Sequence, residues 1–496
     1  MRFPNYVWQT GPTINFTGDL SGNPSIAFGT DDAVYFTMAV KGSHPNAGIT
    51  NANSYDIAVG KASKSGTLLW LRLLPGMNTS TNESDPVLAL GPENEMYIAY
   101  VTRGATPGNT NMMNVPTFCP QICTNVGPED IVIARVNTNT GSPVLQWVVQ
   151  NGNFNSCNNE SNPSIAVDKV NKLLYVGFQS SANIQCNTST GSPNVAVVCY
   201  NLLGTYYWTD SILLNSSGAN QNTAVAADTF SNVYLSYETT IRGQANQIEI
   251  VKYTTRQTNG AFSSYSLEWR ASNTCDIVAR YLAYNEDGNP ISEAPICMNP
   301  SIVCSPSGLV HIMFVTNGIM SGQLTTGSLF DLVSVCLEPN GILKWMYQGI
   351  KYNDDSFRYT NCFEPYIACD IYGNLYSSLN TQTNDGYNIV LFKLSSTSGD
   401  LLWSYTTPTN VTYAAYPLAR TNSIRPMLPS SVTPYKKTVL AVDNGLFVAA
   451  LNLKNPGYLR MFAFEERLYF ENISPFGFVN EIKSGCKTCK TGTCGC

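Results

Sequence analysis

Asp56-Ile57-Ala58-Val59-Gly60-Lys61-Ala62-Ser63-Lys64-Ser65-Gly66-Thr67-Leu68-Leu69-Trp70 holds two short apolar runs on either side of a Ser/Gly turn. Branched and aromatic residues at short spacing, broken by a turn signal, predict a β-hairpin that ends on tryptophan. The pattern returns as Ile389-Val390-Leu391-Phe392-Lys393 with Gly399-Asp400-Leu401-Leu402-Trp403, and as Asn340-Gly341-Ile342-Leu343-Lys344-Trp345. Tryptophan is rare, yet the seven here, Trp8, Trp70, Trp147, Trp208, Trp269, Trp345 and Trp403, lie 62, 77, 61, 61, 76 and 58 residues apart by subtraction. Regular self-similarity of this kind marks a repeat architecture.

Ahead of the hairpin lies a second landmark. Asn23-Pro24-Ser25-Ile26-Ala27, Asp85-Pro86-Val87-Leu88-Ala89, Asn162-Pro163-Ser164-Ile165-Ala166, Asn299-Pro300-Ser301-Ile302-Val303 and Glu364-Pro365-Tyr366-Ile367-Ala368 are its clear copies, with Asn222-Thr223-Ala224-Val225-Ala226 and Arg425-Pro426-Met427-Leu428 degenerate ones. Proline donates no ladder hydrogen bond, so the landmark predicts the first residue of a strand. A further run such as Met96-Tyr97-Ile98 or Leu174-Tyr175-Val176 follows each copy. The unit is therefore four antiparallel strands, A to D, and a unit of roughly 60 residues predicts the blade of a β-propeller. Seven landmarks predict an all-β, seven-bladed propeller over residues 1–465, followed by an extension over 466–496 with a short Cys-rich tail. Trp8 precedes the first landmark, so its strand is expected to close the last blade. Phe447–Leu451 with Pro456–Phe462 reads as a C–D hairpin, so Trp8 either adds outside that hairpin or takes the D place.

The C–D motif resembles the seven-bladed β-propeller repeat family of bacterial surface proteins, in which an aspartate, an apolar alternation and a Lys or Arg precede Gly-x-Leu-x-Trp. The resemblance spans roughly residues 8–465. It implies architecture and is silent on activity. The Gly-x-x-x-Trp element is also similar to repeats of quinone-dependent dehydrogenases, whose eight blades and dedicated cofactor site have no counterpart in this sequence.

Charged residues make up 12 % of the 496, and the net charge is −6. No basic field exists to attract nucleic acid. No continuous apolar segment predicts a signal peptide at the N-terminus or a transmembrane helix elsewhere. Fifteen cysteines are present. Cys199, Cys304, Cys336 and Cys369 fall in apolar strand runs and read as small buried residues. Cys119 and Cys123 in a long B–C insertion, Cys157 and Cys186 in loops of the third repeat, and Cys275 and Cys297 around the next insertion are disulfide candidates. So are Cys486, Cys489, Cys494 and Cys496, which crowd the tail. These four are also zinc-ligand candidates, although CxxC and CxC four residues apart is tighter than structural sites use, and redox chemistry lacks its βαβ setting. Disulfides imply an oxidising compartment, at odds with the missing signal.

Asn15, Asn78, Asn82, Asn159, Asn187, Asn215, Asn410 and Asn472 lie in glycosylation sequons. The two histidines, His44 and His311, are too few for a catalytic triad, and His311 reads as a satisfied or exposed strand residue. Asp31-Asp32 and Asp354-Asp355 read as turn chemistry. A carboxylate pair for glycoside hydrolysis cannot be selected from the sequence. No cofactor is expected. These readings predict a non-catalytic assembly protein that contacts protein neighbours, itself included, through a rigid propeller and forms disulfides through its loops and tail. A virion outer layer or fibre is one such setting, and the location is extracellular or on a particle surface, with the cytoplasm the other option. The alternative is a cell-surface adhesin or glycan-binding propeller. A hydrolase or quinone-type dehydrogenase ranks below both.

Overall fold

The computed structural model describes residues 2–9, 20–44, 49–50, 54–107, 129–139, 142–156, 158–181, 184, 194–212, 219–240, 246–271, 279–280, 296–320, 330–349, 361–383, 386–406, 439–443, 446–453 and 458–468. Its strands pair as the repeat predicts, into a β-propeller of four-stranded antiparallel blades. Blade one is Leu20–Phe28, Ala33–Val40, Asp56–Ser63 and Leu68–Leu73. Blade two is Glu83–Leu90, Met96–Thr102, Asp130–Asn137 and Val144–Val149. Blade three is Glu160–Asp168, Leu173–Ser180, Asn194–Asn201 and Tyr206–Ile212. Blade four is Ala219–Ala227, Asn232–Thr240, Asn246–Thr258 and Ala261–Ala271. Blade five is Cys297–Cys304, Val310–Thr316, Asp331–Leu337 and Leu343–Gln348. Blade six is Asn361–Cys369, Leu375–Thr383, Gly386–Leu394 and Leu401–Thr406.

The expectation of seven blades, the last closed by the N-terminal strand, is thereby corrected to six. The remaining four-stranded sheet is a composite of both chain ends, in the order Arg2–Gln9, Tyr458–Leu468, Leu446–Leu453, Val439–Asp443. Arg2–Gln9 takes the outer, D-type place. The segment read as a C–D hairpin supplies the second and third strands instead, and the first is Val439–Asp443. The degenerate landmark at Pro426 lies outside the described residues. The A strands meet side by side from blade one to blade six, and Val439–Asp443 touches the A strands of blades six and one.

The proline landmark is not a strand start. Pairing of the A and B strands slips at Ser84/Val87, Ser161/Ser164, Gln221/Ala224, Met298/Ser301 and Phe363/Tyr366. Each slip holds a left-handed residue just before the Pro position: Asp85, Asn162, Asn222, Asn299 and Glu364, with φ between 49° and 57°. A bulge tolerates proline because its N–H is out of the ladder, and Asn and Asp reach the left-handed region at less cost than other non-glycine residues. Beyond two of these bulges, and beyond the Ser21/Ser25 slip of blade one, a serine hydroxyl accepts the next blade's backbone N–H: Val225 to Ser164, Ile367 to Ser301 and Leu88 to Ser25.

The tryptophan motif joins blades. Trp269 Nε1 donates to Pro339 O of blade five at 3.1 Å, and Trp345 Nε1 to Ser396 O of blade six at 3.2 Å. The glycine of the receiving C–D turn lies against the preceding tryptophan. A Cβ on Gly341 (φ 87°) would stand 3.1 Å from Trp269, and one on Gly399 (φ 71°) 2.5 Å from Tyr347 and 2.8 Å from Trp345. Only glycine serves both the conformation and the contact. Beneath each tryptophan sits a B-strand aromatic, as in Tyr35–Trp70 and Tyr376–Trp403 with ring centroids 6.4 and 6.2 Å apart. In four blades a C-strand cation lies over that tyrosine: Lys61, Arg135, Lys252 and Lys393.

Candidate functional site: the insertion-bearing rim

Antiparallel pairing places the starts of the A and C strands on one rim of the ring, and the A–B and C–D turns on the other. The turn rim is built of short links such as Gly29–Asp32 and Ser63–Thr67, closed by backbone hydrogen bonds. The long segments between strands leave from the opposite rim: 103–129 and 317–330 between B and C strands, 272–296 and 407–438 after D strands. The necks of two of these segments are clamped alike. In blade two, Gln150 Oε1 accepts from Thr106 N at 2.9 Å, and its Nε2 donates to Gly104 O and Asp130 Oδ2. In blade five, Gln348 does the same with Met320 N, Gly318 O and Asp331 Oδ2. Arg103 and Glu129 pair at 2.7 Å at the mouth of the first segment.

Two carboxyl clusters lie under this rim at successive blade junctions. Glu83 opens the A strand of blade two and is fully buried, next to Asp56, which opens the C strand of blade one and is 8 % exposed. Glu83 Oε1 accepts from Thr79 Oγ1 at 2.5 Å, Thr79 N at 3.2 Å and Thr102 Oγ1 at 3.1 Å. Glu160 repeats the design one blade on, accepting from Ser156 Oγ and, at 2.8 Å, from Ser180 Oγ, with Asp130 alongside. In both clusters Oε2 meets no donor among the described residues. Burial first, and then the neighbouring aspartate, pushes Glu83 up to about 7 and Glu160 up to about 8. Asp56 is raised as well, by burial. Two carboxyls in contact away from water cannot both ionise, so a shared proton supplies the donor that Oε2 of Glu83 lacks. A bidentate amide locks each cluster: Asn78 onto the backbone N–H and C=O of Ile57, Asn155 onto those of Ile131.

Sequence reasoning missed this arrangement, although its signal is present. Asn78-Thr79-Ser80-Thr81-Asn82-Glu83-Ser84-Asp85-Pro86 aligns without a gap on Asn155-Ser156-Cys157-Asn158-Asn159-Glu160-Ser161-Asn162-Pro163. Three sequon residues are thus repeat positions. Asn78 holds strand backbone, Asn82 Oδ1 accepts from Tyr55 N at 3.1 Å, and Asn159 is exposed at the equivalent place. Asn15, Asn187, Asn215, Asn410 and Asn472 lie outside the described residues, as do Cys119, Cys123, Cys157, Cys186, Cys275, Cys486, Cys489, Cys494 and Cys496. Cys297 is not a loop staple. It opens the A strand of blade five as a buried thiol, and donates to Thr316 Oγ1 at 3.3 Å, the place Glu83 holds against Thr102. Among the described residues Cys199, Cys297, Cys304, Cys336, Cys362 and Cys369 form no disulfide, so the disulfide expectation has no support among them.

His311 departs from its reading too. It replaces the B-strand tyrosine of blade five, lies tilted against Trp345 with ring centroids 5.8 Å apart, and is fully buried with neither ring nitrogen hydrogen-bonded among the described residues. Burial, then Lys344, pulls it down to about 4. Cys336, opposite it on the C strand, stands where other blades carry the cation, and burial pushes its thiol up to about 12. A neutral imidazole and a neutral thiol here fill space and carry no nucleophilic chemistry. Asp31 keeps its turn role, accepting from Tyr35 Oη at 2.9 Å and Lys61 Nζ at 2.6 Å, while Asp354 and Asp355 lie outside the described residues. Among the described residues no group of three or more His, Cys, Asp or Glu is placed to hold a metal, and no helix is long and apolar enough to cross a membrane.

No family model matches the chain, so the resemblance to the bacterial repeat family stands on its motif alone. No curated protein matches either. Among solved structures the chain is similar to a protein of unknown function from Dyadobacter fermentans, with 10 % identity, 94 % of this chain and 99 % of that chain covered, and a TM-score of 0.47. It is similar to the polysaccharide lyase Uly1, at 8 % identity, 94 % and 99 % coverage and a TM-score of 0.45. A sialidase from Trypanosoma rangeli matches at 10 % identity, 91 % and 72 % coverage and a TM-score of 0.41. Because named enzymes stand among these structures, the expectation that the chain is not an enzyme is withdrawn. At such identities the likeness assigns no activity to this chain.

Proposed function

We propose that this propeller is a surface-located glycan-binding protein whose ligands are neutral sugars held on the insertion-bearing rim. The observation that supports this most is the make-up of three B–C segments leaving that rim, which differ in this from the charged segments 272–296 and 407–438. Between Arg103 and Glu129 the sequence contains no Asp, Glu, Lys or Arg, and the same holds for residues 181–193 and 317–330. Their polarity comes from Asn, Gln, Ser and Thr. Amides and hydroxyls match sugar hydroxyls donor for acceptor, and no charge need be stripped of water when the sugar binds. The Gln150 and Gln348 clamps hold two of these segments at their necks, which lowers the ordering cost of binding.

The buried carboxyl clusters are not the sugar site. Glu83 and Glu160 have no exposed surface, so neither can flank a bound sugar as a cleaving carboxylate must. They tie blades together beneath the rim. A role in assembly through disulfides would have to use cysteines beyond the six described ones.

Screening the full chain on an array of neutral and acidic glycans tests the proposal. Retention on neutral glycans that disappears when residues 108–127 are replaced by a Gly/Ser linker is the expected result. Retention on acidic glycans alone, or none at all, rejects it. Release of new reducing ends from a bound glycan shows whether binding leads to cleavage.

A further inference from the structure

The opposite rim carries a second surface. Val170, Leu203, Phe230, Ile342, Ile371 and Tyr372 are the tip residues of A–B and C–D turns in blades three to six, and they are 62–75 % exposed. The tips adjoin. Asn171 Nδ2 donates to Thr229 O across blades three and four; a Cβ on Gly308 of blade five would stand 3.9 Å from Phe230; one on Gly373 of blade six would stand 4.0 Å from Pro306. Single exposed apolar residues are ordinary, but an arc of them over four neighbouring blades marks a docking surface. The same rim in blades one and two carries Asp31, Asp32, Lys64 and Glu93 at its tips, and the arc has charged neighbours in Lys169, Lys172 and Asp400.

We propose that the chain's own C-terminal segment, Tyr469–Ile482, covers this arc. The last strand of the composite sheet runs toward the same rim: Asp443 pairs with Leu446 across its A–B turn, Leu446 pairs with Glu465, and Leu468 pairs with Arg2. The chain therefore leaves Leu468 on the turn rim, beside blade six. The segment that follows contains Tyr469, Phe470, Ile473, Phe476, Phe478, Val479 and Ile482, and it leaves from the rim that carries the arc. Extended at ~3.3 Å per residue it spans about 46 Å, and four sheet-to-sheet steps of about 10 Å reach blade three. Charge favours that direction. The segment's ionisable residues are Glu471 and Glu481. Lys169 and Lys172 stand exposed at the blade-three end of the arc, where they can meet these acids. Docked this way, the segment delivers Cys486–Cys496 to the far edge of the turn rim, on the face opposite the proposed sugar site.

Limited chymotrypsin digestion of the full chain tests this. Carrying Phe230→Ser, Ile371→Ser and Tyr372→Ser, the protein is expected to be cut at Phe476 and Phe478 at least tenfold faster than wild type, with an unchanged circular dichroism spectrum. Adding a synthetic 469–482 peptide to a chain ended at Leu468 is expected to quench the fluorescence of a hydrophobic dye bound to the arc. Equal cleavage of variant and wild type overturns the proposal. So does a full chain that self-associates through the arc, which would make a second copy the occupant. If the shortened chain fails to fold, the digestion of the full-length variant alone decides.

Discussion

Replacing Glu83 with glutamine should stabilise the protein at alkaline pH and leave it nearly unchanged at acid pH. Oε1 of glutamine keeps the acceptor role toward Thr79 and Thr102, while its amide N–H offers Asp56 the donor that Glu83 provides only when protonated. The folded-state value of about 7 lies above the ordinary value of 4.5. The native state therefore holds the proton more tightly than the unfolded chain, and stability falls as pH rises from 4.5 through 7, then levels off. At ~1.4 kcal/mol for each tenfold change, the full displacement amounts to roughly 3 kcal/mol. Sharing of the proton with Asp56 makes this an upper figure, so a gain of about 1–3 kcal/mol is expected at pH 8.5 and about zero at pH 4. Urea denaturation followed by tryptophan fluorescence at pH 4, 6 and 8.5 reads the difference directly. A variant destabilised equally at all three values, or one whose pH slope matches wild type, would refute the shared-proton account.

The same reasoning covers other positions. His311→Phe should flatten the acid limb of stability: with a folded value near 4 against 6.5 unfolded, wild type loses stability as pH falls from 6.5 through 4, roughly 3 kcal/mol in all, and thermal melts at pH 4 and 7 should show the gap narrowing in the variant. Gly399→Ala should cost about 1–3 kcal/mol, because alanine is strained at φ 71° and its Cβ meets Tyr347 and Trp345; a melt equal to wild type would contradict the packing role. Asn155→Ala should cost about 1–3 kcal/mol through the loss of both bonds to Ile131, and an unchanged urea midpoint would speak against the amide lock. Arg103→Gln should change stability by less than about 1 kcal/mol, since Arg103 lies 57 % exposed in its pair with Glu129.

The hairpin and its tryptophan were legible because a strand's period and a glycine turn are local, and because six blades repeat them. What the glycine does was not legible, since its partner is the tryptophan of the previous blade, 72 residues before Gly341 and 54 before Gly399 by subtraction. The proline landmark was found but misplaced. Proline fits a bulge as well as a strand start, and only the left-handed φ of Asp85 or Asn162 separates the two. Blade number failed where the repeat is degenerate: the Pro426 landmark carries no strand among the described residues, and both chain ends build the composite sheet. Glu83 and Glu160 were hidden inside sequons, where the Asn-x-Ser pattern drew attention away from the acid between. The turn-rim arc left no trace in the sequence, because Val170, Phe230 and Ile371 are single apolar residues in polar turns that only the ring brings together.

Titration calorimetry with a neutral glycan taken from the array, on the full chain and on the form lacking residues 108–127, tests the central claim most directly. The account predicts measurable binding by the full chain, with an affinity that does not change between low and high salt because no ion pair forms, and no binding by the shortened form. Salt-sensitive binding, or equal affinity in the two proteins, would contradict it.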